Sequence, residues 1–196
     1  MNTSSRNSFA TLAFCSAVGI APDAAAAPVY GQGTWESTLQ ARDINGDSIV
    51  DAYYDTVQDI TWLADVSYGG SAMTWSAANA WAAALDVHGI TGWRLPSITD
   101  LGSPGCNYAY SGTDCGYNLN TASGELAHLY YETLDNTPFC SATGTCPQPG
   151  YGVNLNTANF YTSRPFTSQV YSLAFWSGTE NAQYGNQAWY FSFNAG

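Results

Sequence analysis

Acidic and amide side chains recur at alternate positions of a short segment, "DINGDSIVD" (43–51). Proteins bind calcium through several hard oxygen atoms, and alternate positions of a loop can bring such oxygens together. Positions 1, 3, 5 and 9 of the calcium-loop pattern are filled here by Asp43, Asn45, Asp47 and Asp51. The pattern is incomplete, because Ser48 replaces its glycine and Tyr54 replaces its bidentate acid. The segment predicts either a calcium site or a solvated Asn-Gly turn between two strands.

A polar loop near the C-terminus, "SGTENAQYGNQ" (177–187), is the second candidate site. Amide and acidic side chains can hydrogen-bond the hydroxyls of a sugar, while aromatic rings can stack on its C–H faces. The candidate ligand-binding residues are Glu180, Asn181, Gln183, Tyr184 and Asn186. Trp176 and Trp189 flank the loop within strand patterns, so we expect them in the core. The loop is either a ligand surface or simply a polar connection.

Arg94, in "ITGWRLPSITDLG", is one of four arginines in a chain that has no lysine. Its guanidinium is suited to bidentate binding of a carboxylated ligand. The structural alternative is that Trp93 and Leu95 enter the core while Arg94 pairs with a nearby carboxylate or with loop carbonyls. We favour the structural role, because buried arginines are normally paired.

Four of the five cysteines follow the first 27 residues, and they are Cys106, Cys115, Cys140 and Cys146. An even number in an exported chain predicts two disulfides. Three connectivities exist, and we favour Cys106–Cys115 with Cys140–Cys146, because each of these pairs closes a Gly-rich loop. The spacings do not match the tight pairs of zinc ribbons, and no Cys-x-x-Cys motif occurs.

Residues 1–27 have the pattern of a cleaved signal peptide. Arg6 precedes an apolar run, "FATLAFCSAVGIA", and "DAAAA" supplies small residues for a peptidase. The run is too short to span a bilayer, and no later segment is a better candidate, so no membrane span is expected. The remaining residues, 28–196, are predicted to form a single domain that is secreted, periplasmic or at the cell surface.

The chain is strongly acidic, with a formal net charge of −11 over 196 residues. Removal of residues 1–27 takes away one arginine and one aspartate, so the charge is unchanged. Such a surface repels phosphate backbones and anionic lipid headgroups. Nucleic acid is therefore not expected as a partner, and an anionic polysaccharide would need a bridging cation. Partners are expected to be neutral or cationic.

Signals of catalysis are weak. His88 and His128 are not in a metal-ligand spacing, and no nucleophile-elbow pattern occurs. Fifteen scattered carboxylates do not define a glycosidase pair. We therefore expect a protein that is not an enzyme.

Two segments have helical periodicity. One is 74–89, capped by Thr74, with an apolar face formed by Trp75, Ala78, Ala82 and Leu85. The other is 123–134, capped by Ser123, with an apolar face formed by Leu126, Leu129, Tyr130 and Leu134. A further helix start is predicted at Ser97, with Asp100 three residues later.

Strand-like runs occupy 33–42, 60–66, 173–180 and 187–196, whereas 43–55 is expected to be a turn-like acidic segment. Along the last run, Trp189, Phe191 and Phe193 alternate with polar or smaller neighbours. Two helices among short strands and long loops predict an α+β domain with an antiparallel sheet.

Five motifs, taken in order, resemble the Lcl C-terminal domain family of exported bacterial domains. They are "AYYDTVQDITWLADV", "MTWSAANAWAAAL", "ITGWRLPSITDLG", "FWSGTE" and "AWYFSF", and together they cover roughly residues 50–194. The resemblance implies a C-type-lectin-like fold, in which two helices pack on small antiparallel sheets with long loops. It also implies a role in adhesion to surface polysaccharides, the best-known activity among its members.

Two departures from the family and its wider fold affect these expectations. Relatives continue after the "AWYF" strand with a further loop and strand, whereas this chain stops at Gly196, as a C-terminally truncated domain would. The calcium-dependent lectin signatures Glu-Pro-Asn, Gln-Pro-Asp and Trp-Asn-Asp are absent, so calcium-dependent sugar binding does not carry over.

The sequence leaves three hypotheses about function. The favoured one is an exported binding or adhesion module that recognises a neutral glycan or a surface protein through the C-terminal loop region. An enzyme of the formylglycine-generating type, which shares the fold, or a hydrolase is the second. The third is a structural matrix protein without a small ligand. Fold resemblance alone does not decide among them.

Overall fold

The computed structural model describes residues 33–100, 110, 112–152, 174–193 and 195–196. In chain order the elements are α1 (Trp35–Thr38), β1 (Leu39–Arg42), β2 (Ala52–Asp55), β3 (Ile60–Leu63), α2 (Trp75–Ala84), α3 (Glu125–His128), β4 (Ala174–Glu180) and β5 (Ala188–Ser192). The strands form two antiparallel sheets, β1-β2-β3 and β4-β5. The predicted mixture of helices with small antiparallel sheets is confirmed.

The three-stranded sheet is a meander with β2 in the centre. Ala52 of β2 lies opposite Arg42 of β1 and Leu63 of β3, and it is fully buried. The turn into β3 is closed by Asp55, a buried carboxylate that accepts hydrogen bonds from the backbone and side chain of Gln58. These bonds offset the cost of removing the carboxylate from water.

Two predictions for this sheet need correction. The strand predicted over 33–42 is limited to β1, because the preceding residues form the helical turn α1. In that turn the N–H groups of Ser37 and Thr38 both donate to the carbonyl of Thr34. The strand β2 lies within 43–55, where a turn was predicted, so the acidic turn is confined to the part of that segment before β2.

Helix α2 is favoured by a capping residue at its start and by the alanines along its length. The hydroxyl of Thr74 accepts a hydrogen bond from the N–H of Ala77 at 3.3 Å, as an N-terminal cap does. Ala78 and Ala82, one turn apart, are buried, and Trp75 on the same predicted face is partly buried. The predicted helix is confirmed, and its apolar face is confirmed in part, because Leu85 lies beyond the helix end and is only partly buried.

The same helix ends at Ala84, earlier than the predicted end at Gly89. The carboxylate of Asp86 accepts a hydrogen bond from the N–H of Gly89 at 2.6 Å. The backbones of Val87 and Ile90 exchange two further bonds around this turn. A short acidic side chain that binds nearby N–H groups competes with the helix, and here a tight turn replaces the last helical turn.

The second predicted helix, 123–134, forms, but it begins at Glu125 and the cap predicted at Ser123 is wrong. Gly124 precedes the first turn without a side-chain cap, and the hydroxyl of Ser123 instead donates to the carbonyl of Asn120 at 2.8 Å.

The winding of this second helix also changes partway. After α3 the backbone continues as a π-helix over Leu129–Thr133, in which the N–H of Leu134 donates to the carbonyl of Leu129. Every residue of its predicted apolar face is buried.

The main core lies between this helix and β5. Its buried members are Leu39, Leu126, Ala127, Leu129, Tyr130, Leu134, Phe191 and Phe193. The ring of Tyr130 packs edge-on against Phe193 and Tyr131, with centroids 5.2 and 4.9 Å away. Its hydroxyl donates to the carbonyl of Thr137 at 3.0 Å, which satisfies the buried polar group.

The neighbouring Tyr131 is also largely removed from water, and this burial raises the pKa of its phenol group to about 12.

The two C-terminal strands were both predicted, and they pair as a bulged hairpin. Trp176 lies opposite Tyr190, and the register shifts between Trp176 and Glu180. Phe191 is buried whereas Tyr190 is 62% exposed, so the predicted alternation along β5 is confirmed. We call β4, the loop 181–187 and β5 the C-terminal hairpin.

None of the helices in the described ranges is long and apolar enough to cross a membrane. The predicted signal peptide, residues 1–27, lies outside the described residues. Its cleavage and the domain boundary at residue 28 stay predictions.

Candidate functional site

Residues 93–100, which we call the WRLP segment, are not helical, although a helix start was predicted at Ser97. The segment lies between α3 and the C-terminal hairpin. The carbonyl of Ser97 accepts from the N–H of Glu125 at 3.1 Å, and the carbonyl of Pro96 accepts from the N–H of Gly178 at 2.8 Å. Backbone groups that a helix would pair internally are thus used to join two neighbouring elements, which outweighs the local capping signal.

Arg94 fixes the start of the WRLP segment to α3. Its Nη1 and Nη2 donate to Oε2 and Oε1 of Glu125 at 2.8 and 2.6 Å, a bidentate ion pair. Nη1 also donates to the carbonyl of Leu95, and the N–H of Ser97 donates to Glu125 Oε2 at 2.7 Å. This geometry supports the pairing of Arg94 predicted from the sequence. Trp93 and Leu95, which were expected in the core, are only partly buried.

The environment of the pair keeps it charged. Burial alone raises the pKa of the Glu125 carboxyl, but hydrogen bonds from Arg94 and Ser97 outweigh this effect, so the pKa lies below its usual 4.5. The hydrogen bond to Glu125 likewise raises the pKa of the Arg94 guanidinium. The ion pair therefore persists throughout the neutral range of pH.

At the other end of the segment, Asp100 holds the C-terminal hairpin. Its Oδ2 accepts from the N–H of Ala182 and from the indole N–H of Trp189, both at 2.7 Å. Thr179 adds a second link, because its hydroxyl accepts from the N–H of Ile98 and donates to the carbonyl of the same residue. The hairpin is therefore anchored along its length to the WRLP segment.

Four of the five predicted ligand residues lie on the loop at the hairpin tip, and the fifth, Glu180, is the last residue of β4. Asn181 differs from the other four because its side-chain oxygen is used within the loop. Its Oδ1 accepts from the N–H groups of Gln183 and Tyr184 at 2.9 and 3.1 Å. Its amide therefore shapes the loop, as Asx turns do. Glu180, Gln183, Tyr184 and Asn186 are exposed. Tyr184, at 53% exposure, is the most apolar group that the loop presents to solvent.

The flanking tryptophans were expected in the core, but both are only partly buried. The indole N–H of Trp176 donates to the carbonyl of Met73 at 2.9 Å, and that of Trp75 donates to the carbonyl of Ser177 at 2.8 Å. These reciprocal bonds dock the start of α2 on β4, and they leave one face of Trp176 toward a cleft.

This cleft, of about 1370 Å³, lies between β3, α2, the turn after α2 and the C-terminal hairpin. Its lining is rich in aromatic side chains, namely Trp62, Tyr68, Trp81, Trp93, Phe175, Trp176 and Tyr190. Ligand sites are predominantly lined by such residues. No motif in the sequence predicted this surface, because its residues come from several distant segments. The unusual number of aromatics was the available signal.

The charged side chains among the described lining residues all have partners. Arg94 pairs with Glu125, and Arg42 donates to the side chain of Gln40 at 2.8 Å. Asp65 accepts from both the N–H and the hydroxyl of Ser67 at 2.8 Å. Asp43 accepts from backbone N–H groups of its own loop. Only the Arg94–Glu125 pair cancels charge, because the other partners are neutral groups. With two arginines and three carboxylates, the described lining has a formal charge of −1.

The acidic loop of residues 43–51 connects β1 and β2, so the predicted turn between strands is present. Asp43 accepts from the N–H groups of Gly46 and Ser48 at 2.7 and 2.8 Å. Asp47 accepts from the N–H of Ile49, which is the main cause of the lowered pKa of its carboxyl. Gly46 and Ser48 both have positive φ, and these bonds hold that left-handed backbone in place.

The remaining two predicted metal ligands are directed toward the turn after α2. Asp51 lies 3.3 Å from Nε2 of His88 and also accepts from the N–H of Ile44. Asn45 approaches the same histidine nitrogen at 3.4 Å and donates to Asp47. The described residues contain no group of three or more His, Cys, Asp or Glu side chains arranged to hold a metal ion.

The predicted disulfide between Cys140 and Cys146 is confirmed. Cys140 is 2% exposed, and Cys115 is also buried and disulfide-bonded. The other predicted pair includes Cys106, which lies outside the described residues. At least three of the four cysteines that follow residue 27 are therefore oxidised.

Residues 51–196 match the family model of the Lcl C-terminal domain, and the chain belongs to this family. The match includes β2, the WRLP segment, both main helices and the C-terminal hairpin. No curated protein and no solved structure matches the chain. Family membership agrees with the resemblance seen in the sequence motifs, and it assigns no ligand.

Proposed function

We propose that the protein is an exported binding module, of C-type-lectin-like fold, that recognises a neutral glycan or a surface protein partner. The ligand surface includes the C-terminal hairpin, and the protein acts in the periplasm, at the cell surface or outside the cell. A separate part of the proposal is that calcium binds the acidic loop, with ligands Asp43, Asn45, Asp47 and Asp51. The binding function does not depend on this part.

The observation that carries the proposal is the anchored, exposed hairpin. Asp100 and Thr179 fix its base to the WRLP segment, and Asn181 shapes its tip. The same hairpin presents Tyr184 and Tyr190 to solvent, at 53% and 62% exposure. Rigid elements that display aromatic and amide groups lose little conformational entropy on binding, which favours recognition.

Charge and cysteine chemistry support the same proposal. A net charge of −11 disfavours anionic ligands and leaves neutral glycans and protein surfaces. An enzyme that uses a cysteine nucleophile needs a thiolate, and Cys115, Cys140 and Cys146 are in disulfides. These observations favour binding over catalysis as the activity of the domain.

The test is a glycan array probed with the full chain, expressed with export so that its disulfides form. The array carries neutral and sulfated glycans and is read in calcium and again in chelator. A capture experiment with bacterial surface proteins runs in parallel. We expect saturable binding to neutral glycans or to one surface protein.

Binding that is lost in chelator would support the calcium part of the proposal, and binding that survives would remove it. A folded protein that binds neither a neutral glycan nor a surface protein would contradict the proposal. Binding restricted to sulfated glycans would contradict the neutral-ligand assignment.

A further inference from the structure

We infer that the aromatic cleft, and not the loop 181–187, is where this protein holds a neutral oligosaccharide several sugar rings long. The inference rests on the proposed binding function and gives it a location and a ligand class. The strands of the C-terminal hairpin form one wall of the cleft, whereas the loop at the hairpin tip is absent from its described lining.

Aromatic rings from separate elements around the cleft provide the stacking surfaces. Trp176 and Tyr190 are directly paired across β4 and β5, and their rings meet edge to face with centroids 6.2 Å apart. Tyr68, from the turn after β3, lines the cleft with 45% of its surface exposed. Exposed rings backed by packed neighbours are the type of surface on which the C–H faces of sugars stack.

The charge of the cleft selects a neutral ligand. Arg94 is neutralised by the bidentate pair with Glu125. The other charged residues of the described lining are Arg42, Asp43 and Asp65, so carboxylates outnumber guanidinium groups by one. A sulfated or carboxylated chain would meet a lining in which carboxylates outnumber arginines, and the net charge of −11 would repel it. Arg42 is the one arginine of the described lining that is not paired with a carboxylate. An uncharged ligand pays no comparable desolvation cost.

The size of the cleft indicates a chain of sugars. Its volume of about 1370 Å³ exceeds the roughly 300–1,000 Å³ typical of pockets for single small molecules. Small residues extend the lining between the aromatic rings, among them Gly69, Gly70, Ser71 and Gly92. Their backbone amide and carbonyl groups can hydrogen-bond hydroxyls along an extended ligand.

The test compares two exposed tyrosines of the same hairpin. Tyr190→Ser removes a ring from the cleft, whereas Tyr184→Ser removes a similarly exposed ring from the loop. Tyr68→Ser removes a cleft ring that comes from the turn after β3. The probes are cellohexaose, laminarihexaose and chitohexaose, with a heparin-derived hexasaccharide as the anionic probe. Binding to the full chain is measured by calorimetry and by tryptophan fluorescence, since Trp62, Trp81, Trp93 and Trp176 line the cleft.

We expect at least one neutral hexasaccharide to bind and the heparin fragment not to bind. Tyr190→Ser and Tyr68→Ser should each weaken binding by about tenfold or more, as expected for the loss of a stacking ring, and Tyr184→Ser should leave it within about twofold. These side chains are about half exposed, so we expect their replacement to leave the fold intact. An unchanged melting temperature will show that each variant is folded.

The opposite pattern, with binding lost in Tyr184→Ser and kept in Tyr190→Ser, would overturn the cleft assignment and keep the binding function. Failure of every neutral hexasaccharide to bind the unchanged protein would also overturn it. In that case a captured surface protein would still support the proposed function, so the two failures are distinguishable.

Discussion

The carboxylate of Asp100 accepts a hydrogen bond from the indole N–H of Trp189 at 2.7 Å, although 89 positions separate the two residues in the chain. The same oxygen accepts from the N–H of Ala182. One side chain from the WRLP segment thus fixes both a strand and the loop of the C-terminal hairpin.

Replacement of Asp100 by alanine should therefore destabilise the protein. Two N–H donors lose their acceptor, and we expect the free energy of unfolding to fall by about 1–3 kcal/mol. Urea denaturation followed by fluorescence measures this change. Glu132→Ala, on an exposed part of the π-helix, is the control and should change stability by less than about 0.5 kcal/mol. Equal stabilities for the two variants would contradict the anchoring role.

Protonation of Glu125 should make the protein less stable in acid. Its pKa is lowered in the folded state, so its stabilising contribution is present above the unfolded pKa, near 4.5, and is lost as the pH falls through the folded value. We expect Glu125→Gln to be less stable than the unchanged protein by about 1–2 kcal/mol at pH 7, since it loses a charged, bidentate partner. The difference should shrink as urea titrations move from pH 5 to pH 3.

Arg94→Lys is the matched variant, because it keeps the positive charge and loses the two-pronged geometry. It should retain part of the pH dependence. A gap between the Glu125→Gln variant and the unchanged protein that stays constant down to pH 3 would show that the charge of Glu125 does not stabilise the fold.

Loss of the Cys140–Cys146 disulfide should lower stability moderately. The bridge closes a short loop, with a sequence separation of 6, and loop-closure entropy for such a loop corresponds to about 2 kcal/mol. The double variant Cys140→Ser, Cys146→Ser isolates this bridge, whereas a reductant would also open the disulfide of Cys115. Its free energy of unfolding, from urea titration, should be lower by about that amount. No loss would mean that the loop is held by its other contacts.

Asp43 should stabilise its loop without any ion. Its carboxylate accepts from the N–H groups of Gly46 and Ser48, so Asp43→Ala should lower the melting temperature by roughly 2–4 °C in chelator. Calorimetric scans with and without calcium separate this effect from metal binding. A melting temperature that calcium raises in the unchanged protein but not in Asp43→Ala would establish the metal site. An unchanged melting temperature in chelator would contradict the structural role.

The elements with strong local signals were predictable from the sequence. Helix α2 follows from the cap at Thr74 and the spacing of Ala78 and Ala82, and the alternation along β5 follows from its aromatic residues. The structural role of Arg94 was predicted from the general rule that a buried arginine is paired. In each case the decisive interaction is local or is a general requirement.

The features that the sequence did not reveal depend on distant contacts. Ser97 and Asp100 have the spacing of a helix start, but hydrogen bonds to Glu125 and to the hairpin hold them extended. The cleft joins residues from β3, α2 and both hairpin strands, and no periodicity within one segment marks such a surface. Strand β2 was not predicted, because the acidic turn residues directly before it made the whole of 43–55 look like a turn.

The reciprocal indole bonds between α2 and β4 join residues that are 102 and 103 positions apart. During synthesis, Met73 and Trp75 are therefore made well before their partners on β4. A helix as short as α2 is only marginally stable on its own in water. The helix obtains its docking surface only when β4 has been synthesised, so assembly of the domain is a late event rather than a stepwise one. A nascent chain that ends before residue 174 lacks both bonds and one wall of the cleft.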